Sequence, residues 1–145
     1  MTIVLDANLI VSLVLALPYS EAATHQIIAW KRQGKTLAAP ALWTYEVCSV
    51  LRKAEVTGYL DADQINNALI QLWRINIQVI PATLDLQRQA LIWAERLGQS
   101  KAHDGAYLAV AESLGSEFWT ADRRLAQSAH QSGASWVYSI VESSR

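Results

Sequence analysis

Ile3-Val4-Leu5-Asp6-Ala7-Asn8 lies at the start of the chain, and its reading decides the fold. Three consecutive apolar residues, two of them β-branched, read as a strand buried on both faces, as strands in parallel sheets are. An aspartate follows at once. In parallel α/β sheets ligands bind outside the carboxyl ends of the strands, so Asp6 stands where a site would lie.

The same pattern recurs down the chain. A helix is predicted over residues 7–16, closed by Pro18, and Ser20 with Glu21 is placed to cap a second helix reaching about residue 33, before Gly34. A second strand over 36–39 stops at Pro40, and a third over 77–80 stops at Pro81. Between them the pattern predicts a helix over about 43–57, ended by Gly58, and another from Asp61 to about residue 73. Helices over about 84–97 and 102–114 come next, each followed by a glycine. Residues 117–120 read as a fourth strand, Asp122 opens a helix to about 131, and 136–138 read as a fifth strand. Short strands alternating with helices predict an α/β fold: a central parallel sheet of about five short strands flanked by helices. No repeat, low-complexity tract or linker interrupts the pattern, so residues 1–145 read as one domain.

Composition narrows the function. The chain is 52% hydrophobic and only 17% charged, enough apolar material for a real core and too little charge for a disordered segment. A formal net charge of −1 excludes a generally basic, polyanion-coating surface, so any attraction for nucleic acid must be local or supplied by a metal. The single cysteine, Cys48, excludes an internal disulfide and a cysteine-built zinc site, and points to a reducing cytoplasm. No basic region precedes the first apolar run, so no signal peptide is expected. The apolar stretch 9–17 is too short to span a membrane.

Of the 13 acidic residues, most read as solvated charges. Glu21, Asp61 and Asp85 sit near helix starts, where the helix dipole favours them, and Glu55, Glu95, Glu112 and Glu142 have polar neighbours. Four others are placed differently. Asp6 and Asp122 each follow a strand. Asp104 shares a helix stripe with Tyr107, Leu108 and Ala111, at i+3, i+4 and i+7. Glu46 lies beside the apolar Val47, Val50 and Leu51. Each has a plainer role available, as a helix cap or a surface charge. The coincidence of four such placements favours a shared site.

Convergence has an electrostatic consequence. Two carboxylates about 4 Å apart repel by about 4 kcal/mol at an effective dielectric near 20. Either one stays protonated or divalent cations neutralise the cluster. Oxygen ligands without thiolate or imidazole suit Mg²⁺ or Mn²⁺, which polarise phosphoryl oxygens and activate water for phosphodiester hydrolysis.

Here the motifs resemble a known family. Ile3 to Asn8, Pro40-Ala41-Leu42-Trp43-Thr44-Tyr45-Glu46-Val47, Ser100 to Asp104 with Tyr107 to Ala111, and Trp119-Thr120-Ala121-Asp122-Arg123-Arg124-Leu125 resemble, in order, the four acidic motifs of the PIN-domain nucleases. The similarity is greatest to the VapC-type toxins of toxin–antitoxin pairs. It implies a three-layer PIN-like fold and an endoribonuclease using Mg²⁺ or Mn²⁺. Asp6, Glu46, Asp104 and Asp122 would be the catalytic and metal-binding acids. Thr120 and Asn8 would orient them by hydrogen bonds. It also implies an RNA substrate, an antitoxin partner and a homodimer. Small departures occur: Ser49 stands where many relatives carry asparagine, His103 where tyrosine is usual, and Gly105 where alanine is common.

Arg123, Arg124 and Lys101 are the candidates for RNA phosphate contacts, although a solvated helix surface accounts for each singly. His103 could assist proton transfer, but a plain polar role beside a helix start fits it equally. Six tryptophans suit core positions and a partner-binding surface. Three other readings compete. One is a housekeeping RNA-processing nuclease without an antitoxin. Another is a receiver-like signalling domain, which needs paired acids after the first strand that Asp6-Ala7-Asn8 does not provide. The third is a non-catalytic RNA-binding or interaction module, disfavoured because all four acids are present.

Overall fold

The computed structural model describes residues 1–141, so Glu142 lies outside the described residues. Its elements run β1 (Thr2–Leu5), α1 (Ala7–Val11), α2 (Ser20–Arg32), β2 (Thr36–Pro40), α3 (Trp43–Val56), α4 (Ala62–Arg74) and β3 (Gln78–Ile80). They continue with α5 (Leu84–Arg96), α6 (His103–Leu114), β4 (Glu117–Thr120), α7 (Arg123–Gln131) and β5 (Val137–Ser139). The strands form one parallel sheet in the order β3-β2-β1-β4-β5.

The most apolar strand occupies the centre. Ile3, Val4 and Leu5 are fully buried, as a strand covered on both faces must be. The chain steps outward from β1 to β3, then returns across the sheet to place β4 on the free side of β1. Strands β2 and β3 thus lie to one side of β1, and β4 and β5 to the other. Right-handed crossovers then put the helices before β3 on one face and those after it on the opposite face, giving three layers. The carboxyl ends of β1 and β4 border the resulting crevice.

Local signals explain most of the element boundaries. Asp61 caps α4 in a reciprocal box with Gln64, and the Thr83 side chain accepts from the Leu86 N–H at the start of α5. Gly115, with φ +60°, ends α6 in the left-handed conformation that glycine adopts without strain.

Three expectations need correction. The first helix ends at Val11 and does not continue to residue 16. Ser12 Oγ donates back to the Leu9 carbonyl at 2.6 Å, and the Leu13 and Val14 N–H groups bond three residues back, tightening the chain into turns. Ser20 does not cap α2. Its hydroxyl accepts from the Leu17 N–H and donates to the Leu15 carbonyl, so it ties down the preceding loop, while Tyr19 occupies the cap position. Pro40 is also the last residue of β2, in register with Ile80, and does not stand outside it. As a strand terminus it has no ladder bond to lose beyond its own missing N–H.

The tryptophans are divided between core and surface. Trp30, Trp43 and Trp93 are buried, while Trp73 is 60% exposed. No helix among the described residues is long and apolar enough to cross a membrane.

Helices α5 and α6 approach most closely at Gly105. A Cβ built there would lie 2.2 Å from the Ala90 carbonyl oxygen, a backbone atom that cannot rotate aside. The glycine at this otherwise alanine-like position is therefore a packing requirement. Gly105→Ala is expected to destabilise the protein by about 1–3 kcal/mol through overpacking, measurable by urea denaturation; unchanged stability would show that the helices separate freely.

Candidate active site

Asp6 stands at the adjoining carboxyl ends of β1 and β4. Its backbone N–H donates to the Trp119 carbonyl at 3.2 Å, which joins the ends of β1 and β4. Its Oδ1 accepts from the Leu9 N–H at 2.8 Å, capping α1. Its Oδ2 accepts from the Thr120 hydroxyl. The same Thr120 oxygen accepts from the Asp122 N–H at 2.9 Å, so one buried hydroxyl links the first and fourth acidic motifs.

Asp6 is only 8% exposed. Burial pushes its carboxyl from the ordinary 3.8 up to about 6, against the lowering effect of the Thr120 and Leu9 hydrogen bonds. The negative charges of Asp104 and Glu46 push it further in the same direction. Residues 6, 46 and 104 thus share one electrostatic field. Asp104 is half-buried at the start of α6, and its Oδ2 accepts from Gln99 Nε2 at 2.9 Å. Glu46 is half-buried in the first turn of α3, and its Oε1 accepts from the Tyr107 hydroxyl at 2.7 Å. Asp122 is exposed, and its Oδ1 caps α7 by accepting from the Leu125 N–H at 3.1 Å. It is tied to the others through Thr120. Asp6 and Asp122 thus each cap a helix and share the Thr120 hydroxyl.

Three neighbours of the acids were not singled out as site residues from sequence. Tyr107 is 2% exposed, and burial together with Glu46 raises its hydroxyl well above the ordinary tyrosine value. Tyr19 is also raised, by burial first and then by the charge of Asp6. Gln99 is the third, from the loop between α5 and α6. Asn8 is exposed and makes no side-chain hydrogen bond among the described residues, so the link expected of it is supplied by Thr120 alone.

Beside the acids lies an open cleft of about 470 Å³, lined by Glu46, Gln99, Ser100, Lys101, His103 and Asp104. Lys101 is its lysine, and His103 is exposed there. Arg123 and Arg124 follow Asp122 on α7, half-buried and exposed respectively. The acids are hard oxygen donors with no thiolate or imidazole among them, which fits Mg²⁺, Mn²⁺ or Ca²⁺ chemistry and not a zinc site. No three His, Cys, Asp or Glu side chains among the described residues are close enough to ligate one ion in the present arrangement. The donor set fits a divalent cation in kind, and its mutual repulsion is what a cation would relieve.

The model for the PIN domain matches residues 3–131. The chain belongs to the PIN-domain family. It is 30% identical to Ribonuclease VapC3 of Pyrobaculum aerophilum over 128 residues, 88% of this chain and 94% of that protein. It is 32% identical to Ribonuclease VapC12 of Mycobacterium tuberculosis over 126 residues, 87% and 91% of the two chains. A chain in a toxin–antitoxin complex from Klebsiella pneumoniae superposes with a TM-score of 0.67 at 18% identity, over 96% of this PIN chain and 98% of that one. This last likeness is one of fold.

The raised Asp6 carboxyl makes stability depend on pH. An acid whose folded-state pKa exceeds its unfolded value takes up protons on folding. Its stabilising contribution is full below about 3.8 and is lost as pH rises through about 6. The difference is on the order of 3 kcal/mol. In chelator, Asp6→Asn should therefore be more stable than wild type at pH 7.5, and the two should converge toward pH 4. Denaturation curves across that range check this; parallel pH slopes for both proteins would count against it.

Proposed function

We propose that this chain is a metal-dependent endoribonuclease, hydrolysing RNA phosphodiester bonds as the toxin of a toxin–antitoxin pair. The observation that carries the reading is the shared field of Asp6, Glu46 and Asp104, from distant parts of the sequence, at the crevice of a PIN-domain sheet. Curated relatives at 30% and 32% identity are ribonucleases, and a neighbour in fold comes from a toxin–antitoxin complex.

Asp6, Glu46, Asp104 and Asp122 would hold Mg²⁺ or Mn²⁺. When bound, such an ion polarises a phosphoryl oxygen and activates water near neutral pH. The protein's own residues do the rest. Thr120 orients the Asp6 carboxylate and fixes the turn carrying Asp122. Gln99 holds Asp104 toward the cleft. Lys101, at the cleft, and Arg123 and Arg124, after Asp122, are placed to contact RNA phosphates, compensating locally for a chain with no net positive charge. An antitoxin and a second copy of the chain are the protein partners of this reading, and residues 1–145 form a single nuclease domain acting in the cytoplasm.

Cleavage of single-stranded RNA in Mg²⁺ or Mn²⁺ tests the assignment. Asp6→Asn and Asp104→Asn should each lower the rate roughly 100-fold or more, and chelator should abolish it. Undiminished cleavage by both variants would falsify the site. Expression should arrest growth with wild type and not with Asp6→Asn; normal growth with abundant active enzyme would remove the toxin role and leave the nuclease.

A further inference from the structure

Glu46 and Tyr107 are 61 residues apart, on α3 and α6, and meet in a hydrogen bond of 2.7 Å. Their surroundings are unequal. The Tyr107 ring is almost fully buried and stacks on Phe118 of β4, with centroids 5.6 Å apart and planes at 19°. Phe118 is fully buried in the strand whose end carries Thr120. Tyr107 is therefore anchored in the core. Glu46 is a half-buried side chain on a helix surface. No other hydrogen bond to its carboxylate occurs among the described residues, and Oε2 accepts none.

A free glutamate side chain samples several rotamers, and ordering it has an entropic penalty. One held at a single oxygen by a fixed donor presents its other oxygen in one place. The phenol also lies in the field of Asp6, while its hydroxyl donates to Glu46. We propose that Tyr107 is a positioning residue, holding Glu46 through Oε1 so that Oε2 is the oxygen offered to the divalent cation. This inference rests on the metal-dependent ribonuclease reading of the same site. The opposite relation is a structural one, in which Glu46 merely satisfies a buried hydroxyl.

Tyr107→Phe separates the two, because it keeps the ring and its stack on Phe118, with folding checked by circular dichroism. Mn²⁺ is titrated calorimetrically into the full chain as wild type, Tyr107→Phe, Glu46→Ala and the double variant, with RNA cleavage followed in parallel. Tyr107→Phe should bind Mn²⁺ about 10-fold more weakly and lose kcat with KM for RNA unchanged, and excess Mn²⁺ should recover much of the rate. In the Glu46→Ala background the same substitution should weaken Mn²⁺ binding no further, since its effect passes through Glu46. Wild-type affinity in Tyr107→Phe, or an equal loss in both backgrounds, overturns the proposal and leaves the ribonuclease assignment standing. A wild-type protein that binds no Mn²⁺ and cleaves without divalent metal removes the assignment, and this inference with it.

Discussion

A carboxylate buried at the end of the central strand is the constraint on which the rest of the structure depends. Asp6 sits where β1 and β4 end side by side, screened from water and within the field of two further acids. Such a group is tolerated only with hydrogen bonds of its own and a means of dealing with its charge. The Leu9 N–H and the Thr120 hydroxyl supply the bonds. They do not offset the burial, and the carboxyl remains raised. Burial and the two neighbouring acids therefore disfavour the ionised form of this one residue. That is the expected signature of a site whose stability and function are linked through what it binds.

Much of this was legible in the sequence. Apolar, β-branched runs ended by prolines or acids marked the strands, because strands buried on both faces leave no room for polar residues. Asp6 and Asp122 were legible as acids at strand ends, and Asp104 from the spacing of Tyr107, Leu108 and Ala111 below it. Glu46 was the least legible from pattern alone, and its partner explains why. The Tyr107 hydroxyl reaches it across 61 residues, and no local rule couples an apolar-stripe tyrosine to a glutamate on another helix. Tyr107 was read as core, and its ring is core; only the oxygen at its tip belongs to the site.

The misread boundaries share a cause. Ser12 and Ser20 were read by helix propensity and capping preference, whereas the Ser12 hydroxyl bonds to the Leu9 carbonyl of α1 and the Ser20 hydroxyl to the Leu15 carbonyl of the α1–α2 connection. Serine's ability to bond backbone on either side makes its role depend on where the chain must go next. Gln99 and Tyr19 were missed for a related reason. Their relevance comes from the loops that bring them beside Asp104 and Asp6, and loop paths are set by packing. Gly105, noted first as a departure from alanine, acquires its meaning only from the Ala90 carbonyl against it.

The Thr120 hydroxyl spans 114 residues of chain in reaching Asp6. Translation at about 5–20 residues per second separates the synthesis of these two residues by roughly 6–23 s. Throughout that interval the ribosome holds a chain with Asp6 made and the strand that bears Thr120 still missing. The order of strands in the sheet thus acts as a clock: β1 is made first but acquires one of its two neighbours almost last. The buried end of the first strand therefore waits for its hydroxyl partner until residue 120 has been made.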